Sequence, residues 1–321
     1  MSEAESKSDN VGVVEIRVCR TDAGLRLDQL LVNRFPEHSR TFSQRCIKAG
    51  NILLNGQSCS QAYAVKTNDL ICVEWPEEPT MTLEAEDLGL DILSEDDDVI
   101  VLNKPPGLVV HPAKGNMTGT LVHGLLFHDK QRFGALLDEE MRPGIVHRLD
   151  KDTSGVMVVA KNEKARVAMK RAFAERRVEK HYLAIVVGEF GVVTGRIETQ
   201  MGRHPVFRKK MAVLSEGGKH AITNYRVLAS TGDVTLVLVR IETGRTHQIR
   251  RHFVHLRHPI IGDTSYGDGR HNQMFREKFN SNRLMLAAVK LELVHPFTQK
   301  ELKIEAPLEA EFKSLLKKLG I

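Results

Sequence analysis

The chain has 321 residues, 41% of them apolar, and 46 Lys plus Arg against 41 Asp plus Glu give it a formal charge of +5. That apolar content supports roughly two domains with a core each, and it excludes intrinsic disorder, a disulfide miniprotein and collagen. No apolar run approaches the ~20 residues of a membrane span or the pattern of a signal segment, so no membrane contact and a cytoplasmic location are expected.

The charge is unevenly spread. Glu84 to Asp98 holds eight acidic residues and no Lys or Arg, whereas Arg240 to His258 holds five Arg, four His and one Glu. One face is therefore expected to attract polyanions and another to repel them. The four cysteines, Cys19, Cys46, Cys59 and Cys72, lack metal-ligand spacing and any disulfide framework, and buried thiols are expected.

In chain order, residues 1–14 are polar and acid-leaning and read as a disordered tail. Leu27, Leu30, Leu31 and Phe35 recur at helical spacing, and Ser39 can cap a second helix that buries Phe42, Cys46 and Ile47. That helix presents Arg40, Arg45 and Lys48 and runs into Ile52-Leu53-Leu54-Asn55-Gly56-Gln57, where Asn-Gly is the preferred hairpin turn. Helix, helix and hairpin with a basic side suit RNA. Leu25-Arg26-Leu27-Asp28, Ser39-Arg40, Lys48-Ala49-Gly50, Asn55-Gly56 and Asn68-Asp69 together resemble the S-four-type, or alpha-L, RNA-binding domain over residues 15–75.

Residues 76–87 read as a linker with the boundary near Pro79, because the Pro-Glu-Glu-Pro run lacks apolar periodicity. A second domain then fills 88–321. Within it, Gly155 to Ala160 reads as a buried strand, and Asn162 caps a helix carrying Ala165, Ala168, Met169, Ala172 and Phe173. Tyr182 to Val187 and Val234 to Val239 are strand-like. Strand runs with few intervening helices predict an α+β fold with a mixed, mainly antiparallel sheet and flanking helices.

Phosphate-cradling glycine motifs, His-Glu-x-x-His, Gly-x-Ser-x-Gly and the zinc-deaminase pattern are all absent from the sequence. What remains is Gly144-Ile145-Val146-His147-Arg148-Leu149-Asp150-Lys151-Asp152-Thr153-Ser154-Gly155, a polar loop leading straight into the apolar strand. By turn chemistry alone it is a solvated turn. Its His147-Arg148-Leu149-Asp150 and Thr153-Ser154-Gly155, however, resemble the signature of the RluA/RluD-type RNA pseudouridine synthases. Asn103 to Pro112, Lys180-His181-Tyr182 and Thr243-Gly244-Arg245-Thr246-His247-Gln248-Ile249-Arg250 are similar, in order, to that family's upstream, tyrosine and arginine motifs.

The resemblance implies an isomerase that detaches uracil from ribose, turns it and rejoins it through carbon 5, with no metal and no organic cofactor. It makes Asp150 the acting carboxylate, as nucleophile or base, and puts Arg250 beside it. Spacing alone leaves Arg250 as one solvated cation among many; Thr246 is expected to cap its helix, with Ile249, Phe253 and Leu256 as the apolar stripe. Tyr182 packs into a core by default and stacks on the displaced base by resemblance. Arg148 either fills the gap left in the RNA stack or pairs with Asp152. His147 is read as bonding a backbone group to hold the loop, and Leu284 and Leu286 as packing beneath the base. Arg245, Arg40 and Lys48 complete the expected RNA contacts, with Arg203, Arg208, Lys209, Lys210, Arg251 and Arg257 for phosphates.

The expected partner is RNA, bound by a monomer. Residues 251–272 look closer to the tRNA-modifying branch. The N-terminal domain and Val109 to Asn116 look like the ribosomal branch, and large-subunit rRNA is the favoured substrate. A tRNA enzyme and a non-catalytic RNA chaperone or ribosome-assembly factor are the competing readings.

Overall fold

The computed structural model describes residues 13–38, 40–76, 83–113, 115–137 and 141–321. The chain separates into two compact units, residues 1–82 and 83–321.

The first unit runs β1 (Val13–Arg17), α1 (Leu27–Arg34), α2 (Arg40–Ala49), β2 (Ile52–Leu54) and β3 (Leu70–Glu74). Its antiparallel sheet has the order β1-β3-β2. Leu27, Leu30 and Leu31 of α1 and Phe42, Cys46 and Ile47 of α2 bury against Ile52, Ile71 and Val73, so both apolar stripes face one core. Phe35 caps the end of α1 and meets Trp75 edge-on at 5.3 Å. Ser39, expected to cap α2, lies outside the described residues.

Three expectations change here. β1 begins at Val13, inside the stretch read as a disordered tail, because Val13 and Val14 pair with Glu74 and Val73; residues 1–12 lie outside the description. The Asn55-Gly56 turn forms, with φ of 51° and 79°, and Leu54 and Gln57 close it, but the strand that pairs with β2 is the later β3. Asn55 is held by Asp69 at 2.9 Å and by the Leu70 amide at 2.8 Å, which ties the turn to that strand. Of the thiols, Cys46 is buried, Cys59 and Cys72 are half-buried, and Cys19 is exposed beside the Asp22 carboxylate.

The second unit contains β4 (Ile92–Glu95), β5 (Val99–Lys104), α3 (Leu121–His128), α4 (Lys130–Gly134), β6 (Ser154–Ala160), α5 (Glu163–Ala174) and β7 (Glu179–Val187). It continues through β8 (Thr194–Arg203), β9 (Met211–Leu214), β10 (Lys219–Ser230), β11 (Val234–Ile241), α6 (Gln248–His255), α7 (Gly269–Phe279), β12 (Leu286–Val294), β13 (Glu301–Glu305) and α8 (Ala310–Leu319). One sheet runs β4-β5-β6-β12-β7-β11-β10-β8-β9, with β13 also on β12. Among the strand pairings of the described residues only the short β6–β12 one is parallel, so the fold is α+β and mainly antiparallel.

Every residue of β6 is buried, as its unbroken apolar run requires. Asn162 caps α5, accepting the Ala165 amide at 2.8 Å. The stretch expected as a linker enters this unit early: Leu83 packs on its core and Glu86 accepts the Gly119 amide, while Pro79 lies outside the described residues. Two members of the acidic stretch are paired within the unit, Glu95 with Lys161 and His128 and Asp97 with Arg132. Among the described residues no helix is long and apolar enough to cross a membrane.

Asp28 anchors the first unit. Its buried carboxylate accepts from Arg26 (3.0 Å), Arg40 (3.1 Å) and Gln44 (2.6 Å). The Arg26 bonds hold it well below the usual carboxylate range; burial opposes them, and Gln44 and Arg40 assist. A depressed pKa stabilises the fold above the unfolded carboxylate's value of about 3.9, and the benefit is lost as pH falls below it. Asp28→Asn is predicted to cost about 2 kcal/mol, discounted for the half-exposed arginines, and to flatten the acid-side loss of protection. Amide exchange of residues 13–74 in the full chain, from pH 5 to 2.5, measures it.

Candidate active site

The loop from Gly144 to Gly155 is pressed onto the sheet at both ends. A β-carbon on Gly144 would sit 2.1 Å from the Ala160 carbonyl oxygen, and one on Gly155 2.0 Å from that of Ala288. Both glycines also have positive φ, 70° and 110°, so no other residue fits without displacing a strand. Between them, His147 accepts the Val158 amide at 3.0 Å through Nε2 and stacks on Phe173 at 4.5 Å. Burial, helped by Lys180, pushes its pKa down to about 3, so the ring is neutral. Arg148 is exposed, and no ion pair joins it to Asp152 among the described residues.

Lys104, at the end of β5, is fully buried and props the loop from below. Its Nζ donates to the carbonyls of Pro105 (2.8 Å), Leu108 (3.0 Å) and Lys151 (2.9 Å), which saturates the ammonium. Burial pushes its pKa down to about 7, while Asp152 and Asp150 pull the other way.

Asp150 projects from this loop with its side chain 19% exposed, and its Oδ2 lies 3.4 Å from Nη1 of Arg250. Arg250 is no solvated cation: it is buried, and its Nε and Nη2 donate to the two oxygens of Asp263 at 2.7 and 2.8 Å. Burial alone would lower the guanidinium pKa, but Asp263 and Asp150 raise it further than burial lowers it. The same burial would raise Asp263, and the Arg250 fork with the Tyr266 and Ser265 amides holds it below the usual range. Arg250 thus keeps a full charge in a nearly dry place with one nitrogen, Nη1, left for Asp150.

The helix carrying Arg250 starts differently from expectation. Thr246 is not its cap; His247 takes the N-cap position in the left-handed region, φ 54°, with no side-chain cap bond. The turn is organised instead by Gln248, whose buried amide accepts from Thr243 Oγ1 (2.7 Å) and the Arg245 amide (3.1 Å). It donates to the Ile222 carbonyl (2.9 Å) and Thr223 (3.0 Å). Ile249 and Phe253 form the buried stripe, Leu256 being half-buried.

These groups surround a cavity of about 420 Å³. By strand register, Tyr182 and Lys180 of β7, Ile241 of β11 and Leu286 of β12 share the sheet face beneath it. Tyr182 is buried; burial, and then the charge of Asp150, push its phenol up, so it stays protonated. Leu284 is buried but does not line the cavity. Arg245 lines it with Nε on the His220 carbonyl at 3.0 Å. In the first unit Lys48 is exposed and Arg40 is partly committed to Asp28.

A family model described as RNA pseudouridylate synthase matches residues 98–255, and one for the S4 domain matches 25–71. A ribosomal large subunit pseudouridine synthase D of Neisseria meningitidis is 40% identical, the match covering 100% of this chain and 85% of that protein. One of Vibrio cholerae is 41% identical over 89% of this chain and 88% of its own. The chain belongs to the RNA pseudouridine synthase family. A solved structure, human RNA pseudouridylate synthase domain containing 1, is 27% identical with a TM-score of 0.54, covering 76% of this chain and 97% of that one. The pseudouridine synthase fold and its RNA-binding S4 domain are thereby accounted for.

Sequence reasoning missed four polar groups of this pseudouridine synthase: Lys104, His247, Asp263 and Tyr266. Lys104 and His247 lie inside recognised motifs, yet nothing in spacing singles them out. Asp263 follows Arg250 by 13 residues, a separation that only the tertiary fold closes. Lys104→Met removes the Nζ donor from the Pro105 and Leu108 carbonyls and leaves the Lys151 carbonyl with the Gly107 amide alone, and is predicted to cost about 2 kcal/mol, read as a lowered urea midpoint.

Proposed function

We propose that this pseudouridine synthase isomerises uridine in large-subunit ribosomal RNA, with Asp150 as the acting carboxylate and without a cofactor. The observation that carries the assignment of Asp150 is its geometry: it faces the cavity, is held by a buried guanidinium, and is the carboxylate that Arg250 does not bind in a fork. The ribosomal substrate is supported by whole-length relatives whose names specify the ribosomal large subunit, together with the S4 match. A ribosomal substrate puts the enzyme in the cytoplasm, where it acts as a monomer.

The reaction breaks the N1–C1′ bond, forms C5–C1′, releases the C5 hydrogen as a proton and leaves a proton on N1. A stacked uridine cannot present C5, so the nucleotide is drawn out of the strand at a cost of a few kcal/mol, about what stacking in the pocket offsets. Leu286 and the Tyr182 ring form the apolar floor for the base. Asp150 reaches the ribose as nucleophile or base, and Arg250 keeps it ionised and oriented. Arg148, exposed beside the cavity, enters the gap in the stack, where a flat cation suits bases and phosphates. Arg40 and Lys48 add contacts that tether the RNA without choosing the uridine.

With RNA tritiated at uridine C5, Asp150→Asn is predicted to release no tritium while binding RNA within about threefold of wild type. Normal release would remove Asp150 from the chemistry. Chemical mapping of pseudouridine in a deletion strain is expected to lose sites in large-subunit rRNA, and loss confined to tRNA would overturn the substrate.

A further inference from the structure

The carboxylate of Asp150 has two oxygens, and Arg250 accounts for one. Its Oδ1 is approached from the other side by His247, whose Nε2 lies 3.9 Å away. The other nitrogen of that ring, Nδ1, is 2.7 Å from the Tyr266 hydroxyl. That hydroxyl accepts the Met211 amide of β9 at 2.9 Å, so its own proton is free to go to the imidazole. The Tyr266 ring is clamped in turn, with the guanidinium of Arg250 4.9 Å from its centre and that of Arg251 5.1 Å.

We propose that His247 is a positioning residue for Asp150, locked by Tyr266 in the tautomer that presents Nε2–H to the carboxylate oxygen Arg250 leaves free. The inference rests on Asp150 being the acting carboxylate. A tyrosine O–H donated to Nδ1 leaves the ring proton on Nε2, pointing at the site. Burial and Arg250 disfavour a second proton on His247, while Asp150 favours it; the balance lowers the pKa and keeps the ring neutral. A neutral N–H orients the carboxylate without adding a second full cation that would quench its reactivity.

The backbone supports the same reading. His247 is a non-glycine residue with φ 54° at the helix start, a conformation that costs of order 1 kcal/mol and persists only where the surroundings enforce it. Here that conformation places the ring between Tyr266 and Asp150. At 3.9 Å Nε2–H faces Oδ1 without a hydrogen bond, and an approach of about 1 Å on substrate binding puts donors on both oxygens and fixes the carboxylate plane; with Arg250 alone it can swing about its single Nη1 contact.

Two substitutions separate the role from the fold. His247→Asn tolerates the left-handed backbone but cannot reach Oδ1, whereas His247→Gln carries an N–H to about the position of Nε2. In single-site turnover on an rRNA fragment, H247N is expected to lose about tenfold to a hundredfold in kcat with KM and thermal midpoint unchanged, and H247Q to recover most of it. Tyr266→Phe keeps the clamped ring, removes the lock, and is expected to lower kcat several-fold at unchanged KM, which serves if H247N fails to fold. Wild-type kcat in H247N, or H247Q no better than H247N, overturns the proposal provided Asp150→Asn is inactive. If Asp150→Asn is active, the assignment of Asp150 falls first.

Discussion

A guanidinium buried between two carboxylates organises the candidate active site. Arg250 gives both arms of its fork to Asp263, which is itself almost fully enclosed, and reaches Asp150 with the nitrogen left over. An isolated buried charge costs several kcal/mol, so each member depends on the others being in place. Asp263 takes the place of water for Arg250, and Arg250 does so for Asp150. Asp150, proposed as the acting carboxylate, can then stay partly exposed towards the cavity without being solvated as it would be in bulk.

The fold supplies the three members from separate parts of the chain. Asp150 comes from a loop whose flanking glycines lie against strand carbonyls and whose backbone is propped by Lys104. Arg250 comes from the first turn of a helix seated by Gln248, and Asp263 from the turn that follows that helix. The sheet beneath carries the apolar floor, so the polar groups and the cavity meet on one face of the second unit.

Much of this was legible in the sequence, for physical reasons that can be named. The buried strand before Asn162, the helix it caps and the two amphipathic helices of the first unit announce themselves by local periodicity and capping, which the tertiary fold then respects. The recognised motifs bring Asp150, Arg250 and Tyr182 together. What spacing could not reveal was burial: Arg250 on a basic helix reads as a solvated cation until Asp263 closes on it. The start of that helix is not legible because Gln248, not Thr246, satisfies the turn, in part through Ile222 and Thr223, which lie 26 and 25 residues away in sequence. The tail is shorter than the sequence suggests because its end is an edge strand whose partner is far along the chain, Val13 pairing with Glu74 and Arg17 with Leu70.

The central claim is that the Arg250–Asp263 pair exists to hold Asp150 ready for the uridine, not merely to hold the fold. The most direct measurement is the single-turnover isomerisation rate of the double variant Arg250→Met/Asp263→Asn. This exchange neutralises the pair while leaving an acceptor for the Ser265 and Tyr266 amides. Because replacing both partners of a buried pair is far gentler on stability than removing one, the variant is expected to fold and to bind RNA, yet to isomerise at least about a hundredfold more slowly. A rate within threefold of wild type would contradict the account.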